Sequence, residues 1–396
     1  MWLYLTVARG KFWHLRDFDD DILKHDPPST WPSVIAVVPA RNEAASIAQA
    51  LTSLLQQNYP GEFSVVLVDD HSEDATAQIA RQTASELNAE SRITICTAAP
   101  LPANWTGKLW ALNEGVSLAA DRGDRARSRA ESRELQRPTW APNYFWFTDA
   151  DVSHASDTLH RLAARAERDH LDLASVMVLL QAKTLPERVL IPAFLFFFLK
   201  LYPPRWIANS RARTAGAAGG CILLRSEALQ RIGGFAAIRG EVIDDCTLAR
   251  AVKRGGGKIW MGLTRASVSH RAYTTFREIG DLIARTAFTQ LRYSFPLLFG
   301  TLLAMFLIYV APVALQFAHR PTQRILGACA WLLMSLLYLP TIRFYRLSPA
   351  WAVTLPLTAL FYSYATFLSA ARFWLGRGTP WKGRFQSQPI SRDIEK

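Results

Sequence analysis

Short apolar runs that end in polar turns and lead into helical spacing recur through the first two thirds of the chain. Val34-Ile35-Ala36-Val37-Val38 is followed by Pro39, a polar turn and apolar positions at helical intervals as far as Leu55. Val65-Val66-Leu67-Val68 ends at Asp69-Asp70 and leads into a second helical stretch from Asp74. Phe145-Trp146-Phe147 is a third such run, ending at Thr148-Asp149-Ala150-Asp151. Strands alternating with helices predict an α/β domain over residues 33–270, built on a parallel sheet. Ligands of such sheets bind at the carboxyl ends of the strands, and the polar clusters at all three strand ends predict that they converge on one crevice there. Residues 121–140 break the pattern with six arginines, four acids and no apolar period, and predict a solvated surface loop.

Beyond residue 294 the pattern changes to long apolar runs. Residues 295–317, 325–342 and 348–371 hold no charged side chain, and each is of the order of the ~20 residues that cross a bilayer core. Arg320, Arg324, Arg343, Arg346 and Arg372 punctuate their ends, where long stems reach an interface. The runs carry no polar stripe, which argues against buried helices of a soluble bundle. They predict a membrane region over 295–378, followed by a basic tail, 379–396. The run 325–342 is the shortest and holds Pro340, which makes it the weakest crossing. Residues 1–32 open with an apolar stretch too short to span, and predict a membrane-proximal or interfacial segment. Val189–Leu199 (VLIPAFLFFFL) is likewise uncharged and too short to span. With Lys200, Arg205 and Trp206 behind it, it predicts an interfacial helix over 186–206, the alternative being a buried core helix.

Charge sharpens this picture. The chain of 396 residues has 45 Lys and Arg against 33 Asp and Glu, a net charge of +12. No carboxylate lies between Asp281 and Asp393. A basic excess attached to apolar runs points to an anionic membrane surface, not to nucleic acid. The four cysteines (Cys96, Cys221, Cys246, Cys329) are scattered without a CxxC pair, which argues against a disulfide framework or a zinc site.

The candidate chemistry sits at the strand ends. Asp149 and Asp151 flank a small residue, so two carboxylates can share one side of a tight turn. A Mg²⁺ or Mn²⁺ ion prefers a few such oxygens together with phosphate oxygens of its substrate. Asp69-Asp70 either accepts hydrogen bonds from a base or ribose, or caps a turn. Lys108 either meets a phosphate as a point charge or is a surface lysine. Asp244-Asp245 either supplies a general base or caps the helical pattern that follows it. Gly219-Gly220 lets the backbone approach a ligand closely, or makes a turn. Neither GxGxxG nor GxxxxGK[ST] occurs, against dinucleotide and P-loop readings.

Taken in order, PARNE at 39–43, VDDHSEDAT at 68–76, GK at 107–108, TDAD at 148–151, GG at 219–220 and IDD at 243–245 resemble the family 2 glycosyltransferases over residues 33–294. The resemblance implies the A-type glycosyltransferase fold, a Rossmann-like, mostly parallel α/β domain. It also implies a nucleotide-sugar donor, a divalent metal and inverting transfer. Pro39, Arg41, Glu43, Asp69 and Asp70 would line the nucleotide pocket with Lys108 nearby, and Asp149 and Asp151 would bind the metal. Asp245 falls where that family has its catalytic base, with Asp244 in place of the usual Glu. Membrane-bound members often carry QxxRW before the membrane helices. Here the stretch is Gln290-Leu291-Arg292-Tyr293, which leaves Arg292 to contact diphosphate or acceptor and argues against processive polymer synthesis. RTAFTQLRYS, IPAFLFFFLKLYP and WKGR look like the hopanoid-biosynthesis-associated glycosyltransferases of bacteria.

The expected activity is therefore transfer of a sugar to a lipid hydroxyl, in hopanoid or other membrane lipid biosynthesis, by a multi-pass protein of the bacterial inner membrane with its catalytic domain in the cytoplasm. A ceramide-like or polyprenyl-phosphate lipid is the alternative acceptor, and a catalytically silent scaffold the alternative of another class.

Overall fold

A computed structural model describes residues 1–15, 18, 28, 30–130, 142–376, 380–381 and 384–385. The chain divides into two compact units, one of residues 16–180 and 207–271, the other of residues 1–15, 181–206 and 272–396.

The first unit is built on an eight-stranded sheet. Its strands are β1 (Val34–Ala40), β2 (Phe63–Asp69), β3 (Ile93–Thr97), β4 (Tyr144–Thr148), β5 (Val152–His154), β6 (Leu173–Leu179), β7 (Cys221–Arg225) and β8 (Ile259–Ser269), in the order β3-β2-β1-β4-β7-β6-β8-β5. The half β3-β2-β1-β4 is parallel, β7 runs against β4 and β6, and β5 runs against β8. The three strands read from the sequence are thus neighbours, β2-β1-β4, and each is longer than its apolar run. Residues of β1, β2 and β4 are buried almost without alternation, as in sheets covered on both faces. Trp146, Tyr144, Leu51, Leu54 and Leu67 are among its largest fully buried side chains.

Helices α2 (Ile47–Leu55), α3 (Thr76–Glu86), α4 (Gly107–Ala130), α5 (Thr158–Arg168), α8 (Ser226–Arg231) and α9 (Asp244–Arg254) belong to this unit, and the short α7 (Pro204–Ala208) falls where the chain passes into it. Helix α4 packs across β1 and β2, where a Cβ on Gly115 would stand 2.4 Å from Val37 Cγ1. Only glycine permits that approach, and it fixes where the start of α4 lies. The expected surface loop at 121–140 is corrected in its first half: α4 runs on through residue 130, since Arg and Ala are good helix formers even without an apolar stripe. The rest of that segment, 131–140, lies outside the described residues, as does most of the basic tail.

The second unit is mostly helical, with one short antiparallel strand pair, Pro380–Trp381 and Arg384–Phe385. It contains α1 (Trp2–Val7), α6 (Leu185–Leu201), α10 (Phe276–Gln290) and three apolar helical segments, Phe295–Phe317, Pro321–Phe344 and Pro349–Trp374, each long and apolar enough to cross a membrane. The middle segment is longer than the apolar run suggested, because Pro321 opens it in the first turn and Arg343 closes it. Outward-facing Phe299, Leu307, Ile325, Leu326, Leu357 and Phe367 are exposed, apolar surface suited to hydrocarbon and not to water. Within the first segment, Pro312 has no N–H for the Ile308 carbonyl four residues before it. The indole of Trp2 donates to that carbonyl instead, at 3.0 Å.

Helix α6 starts with a capping box between Thr184 and Glu187. The expected display of phenylalanines at an interface is corrected: Phe196 and Phe197 are buried, with Phe196 against Phe12 and Tyr338 and Phe197 against Tyr309 and Tyr362. A helix apolar all round is best satisfied when surrounded, and α6 is. Glu187 is fully buried, and its carboxylate accepts from the backbone N–H groups of Lys183, Thr184 and Tyr273 at 2.7–2.9 Å. That joins the start of α6 to the segment entering α10.

Candidate active site

Lys108 stands in the first turn of α4, Asp149 in the turn after β4, and Asp244 and Asp245 open α9. These elements bring the four side chains to one pocket, lined also by Pro39 of β1 and by Gly219. Lys108 Nζ lies 2.8 Å from Asp149 Oδ1 and 3.5 Å from Asp244 Oδ2. Burial disfavours the ammonium, but Asp149, Asp244 and Asp245 outweigh it and hold the lysine firmly charged. A lysine near the positive end of a helix is otherwise misplaced, and these carboxylates are its compensation.

Asp245 is oriented by two backbone donors. Gly219 N–H donates to its Oδ2 at 3.0 Å and Cys246 N–H to its Oδ1 at 2.6 Å. Burial, and then the neighbouring Asp244 charge, push its carboxyl up to about 6 against the pull of Lys108. A carboxylate with such a value is matched to taking a proton near neutral pH. The backbone here also runs close to both side chains: a Cβ at residue 219 would lie 3.3 Å from Lys108 Nζ and 3.4 Å from Asp245 Oδ2.

The loops after β1 and β2 are cross-linked to each other beside this pocket. The Arg41 guanidinium, 6% exposed, donates to the Asp70 carbonyl at 2.5 Å and to the His71 carbonyl at 3.2 Å. Glu43 N–H donates to Thr76 Oγ1. Asn42 and His71 both adopt left-handed backbone, with φ of 52° and 53°, and Asn42 exchanges hydrogen bonds with Ser72 and Glu73. Asp69 accepts from the Ser72 hydroxyl and N–H, the turn-capping arrangement set out above as one of its two readings. Of the candidate nucleotide residues, then, Pro39 lines the pocket, while Arg41, Glu43, Asp69 and Asp70 form this adjoining pair of loops.

Asp149 and, two residues on, Asp151 are the residues that could hold a divalent cation. Three carboxylates face one lysine, so the cluster carries an excess of negative charge that suits a dication. Among the described residues no three His, Cys, Asp or Glu side chains gather to hold a metal unaided. Further ligands would have to be oxygens of a bound diphosphate, as Mg²⁺ and Mn²⁺ prefer. Sequence reading missed two histidines at this turn. His270 N–H donates to the Asp151 carbonyl at 2.7 Å, and His154 lies 2.8 Å from Thr148 Oγ1. Neither sits in a recognisable spacing. Their only signal was position, His154 three residues past Asp151.

Gln290 and Arg292 belong to the helical unit, at the end of α10. Gln290 donates to Tyr202 Oη at 2.6 Å. Arg292 and Tyr293 both have left-handed backbone, φ 53° and 55°, and the Tyr293 ring stacks on Phe373 at 4.6 Å.

Two family models match the chain, glycosyl transferase family 2 over residues 35–233 and glycosyl transferase family 21 over residues 141–387. Glycosyltransferase AglE of Haloferax volcanii is 42% identical over 55 residues, which are 14% of this chain and 18% of that protein; the chain thus spans under a fifth of the length of the curated relative it matches. Among solved structures, mannosyltransferase PcManGT from Pyrobaculum calidifontis, in complex with GDP-Man and Mn²⁺, aligns with a TM-score of 0.53. The alignment covers 91% of this chain and 97% of that one at 19% identity, and it shows a shared fold.

Proposed function

The chain belongs to glycosyl transferase family 2, and on that footing we propose that it moves a sugar from a nucleoside-diphosphate sugar to a hydroxyl of a membrane lipid, with inversion. The observation that carries this reading is the Lys108 ammonium held between Asp149 and Asp244 in the pocket that Asp245 also lines.

The residues take their roles from their chemistry. Asp245 accepts the proton of the acceptor hydroxyl. The hydroxyl oxygen then bonds to the anomeric carbon as the bond from that carbon to the diphosphate oxygen breaks, and the nucleoside diphosphate leaves with the electron pair. Asp244 raises the basicity of Asp245 by its charge, and Lys108 is placed to meet negative charge on the leaving group. A divalent ion at Asp149 and Asp151, Mg²⁺ or Mn²⁺, would neutralise charge on the departing diphosphate. Pro39, Arg41, Glu43, Asp69 and Asp70 are the proposed nucleotide side of the site. The fold relative was solved with GDP-mannose and Mn²⁺, which supports a donor and a metal of this class.

The lipid acceptor is supported by the three apolar segments on the same chain. Within lipids we favour a hopanoid hydroxyl, at the cytoplasmic face of a bacterial inner membrane. That choice rests on the likeness of RTAFTQLRYS, IPAFLFFFLKLYP and WKGR noted above.

The test is transfer by the full chain in detergent, with a panel of nucleotide sugars, Mn²⁺ and a bacterial lipid extract. Release of nucleoside diphosphate from one sugar, with label in a lipid, is the expected result. Chelation and Asp149→Ala should each abolish it. Nucleotide binding without any sugar consumed would overturn the reading in favour of a silent scaffold.

A further inference from the structure

Behind the acidic turn, His154 is buried in the core of the α/β unit with both ring nitrogens bonded. Nε2 lies 2.8 Å from Thr148 Oγ1 and Nδ1 lies 2.8 Å from Ser267 Oγ. Its backbone N–H donates to Ser53 Oγ at 3.1 Å, and its ring packs on Trp146 with centroids 4.6 Å apart. Thr148 and Ser267 are buried too, at 1% and 0% exposure.

The Gly220 carbonyl can only accept, and that assigns the directions of these bonds. The Thr148 hydroxyl has one hydrogen, and it donates to the Gly220 carbonyl at 3.0 Å. Toward His154 it must accept, so Nε2 carries the ring hydrogen. Nδ1 is then bare and accepts from Ser267. Ser267, His154, Thr148 and the Gly220 carbonyl form a chain in which every donor points the same way, so each bond polarises the next. Burial pushes His154 down to about 3, which keeps the ring neutral.

The far end of that chain joins the two halves of the candidate site. Thr148 directly precedes Asp149, which grips Lys108. Gly220 directly follows Gly219, whose N–H holds Asp245. The ladder between β4 and β7 ends at the pair Thr148 and Cys221, so the Thr148 to Gly220 bond extends the tie past the last strand pair.

Resting on the transferase reading above, we propose that His154 is a positioning residue: by orienting the Thr148 hydroxyl it fixes the separation between the Asp149 turn on the donor side and the Asp245 base on the acceptor side. An ordinary core histidine would matter only for stability. A positioning histidine matters through one hydrogen bond, and a side chain that restores that bond restores the effect.

The experiment compares His154→Phe, His154→Gln, Thr148→Val and the His154→Phe/Thr148→Val double variant in the full chain. The Gln side chain can present an N–H to Thr148, and Phe keeps only the shape. Amide hydrogen exchange over residues 217–222 should rise on the order of tenfold in His154→Phe and return to within about threefold of wild type in His154→Gln. The kcat for transfer should fall about tenfold in His154→Phe, with donor KM within about threefold, and the double variant should add nothing further. Unchanged exchange and kcat in His154→Phe, equal damage in the Phe and Gln variants, or multiplying effects in the double variant would each overturn the proposal. If His154→Phe does not fold, Thr148→Val against Thr148→Ser carries the same comparison, since serine keeps the hydroxyl. If the wild-type chain consumes no nucleotide sugar, the transferase reading fails, and exchange alone then decides whether His154 sets the clamp.

Discussion

The Lys108 ammonium lies 2.8 Å from the Asp149 carboxylate, so the first turn of α4 and the turn after β4 are joined by a charge-assisted hydrogen bond. Such bonds are roughly twice as strong as neutral ones, and here the lysine also screens Asp244 and Asp245 from Asp149. Lys108→Gln should therefore lower kcat/KM for the donor by about two orders of magnitude, in the range of a lost transition-state charge contact. Because Lys108 holds the Asp245 carboxyl down, the acid limb of the kcat/KM profile should also move to higher pH in this variant. An acid limb that stays in place, measured alongside wild type, would break the link between the two residues.

Asp245 supplies the pH dependence itself. Its carboxyl is pushed up to about 6, and a base works only when deprotonated. For the free enzyme kcat/KM should rise with pH and reach half its plateau near pH 6. Asp245→Asn should remove about three or more orders of magnitude of kcat while nucleoside diphosphate binding persists. Residual turnover of Asp245→Asn near wild-type level would assign the base elsewhere.

Two glycines, one at the candidate site and one under α4, make a paired prediction. Gly219→Ala puts a methyl 3.3 Å from Lys108 Nζ and 3.4 Å from Asp245 Oδ2, distances the flexible lysine can partly yield. It should cost roughly tenfold in kcat with little change in thermal midpoint. Gly115→Ala puts its methyl 2.4 Å from Val37 Cγ1, against a packed strand, and overpacking of this kind costs about 1–3 kcal/mol. Its thermal midpoint should fall, and the reverse pattern would contradict the packing described.

Glu187 tests the helical unit. Burial opposes its ionisation, but the backbone N–H groups of Tyr273, Thr184 and Lys183 outweigh that and hold its carboxyl below the usual range. With the folded value depressed, its stabilisation is present in full above the unfolded value, near pH 4.5, and is lost as pH falls through the folded value. Glu187→Gln should lower the thermal midpoint at pH 7, by an amount set by about 1–3 kcal/mol of unsatisfied hydrogen bonding. The gap between variant and wild type should close on acidification below pH 4. A gap that widens instead would show that the carboxylate is not the stabilising form.

The alternation of apolar runs with helical spacing determined β1, β2 and β4 and their parallel order, because a strand buried on both faces needs an unbroken apolar run. The long uncharged runs likewise determined the three apolar helices, since length and composition alone make a segment fit hydrocarbon. What the sequence could not carry was anything fixed by distant partners. The strands β3, β5, β6, β7 and β8 were not read: β3 is half-buried, β5 has only three residues, and β6, β7 and β8 gain their place from strand neighbours distant in the sequence. The phenylalanines of α6 gave the same apolar signal whether they face lipid or protein, and packing against Tyr338 and Tyr362 decided it. At the candidate site residues 108, 149, 244 and 245 were legible from their places in the ordered set of motifs that resembles the family 2 glycosyltransferases, since each alone reads equally well as a surface lysine, a solvated turn or a cap. Which charge meets which, and the hydrogen bonds that tie His154 through Thr148 to Gly220, were decided by the tertiary structure alone. They join residues 6 and 72 positions apart along the chain, a separation on which local pattern has no hold.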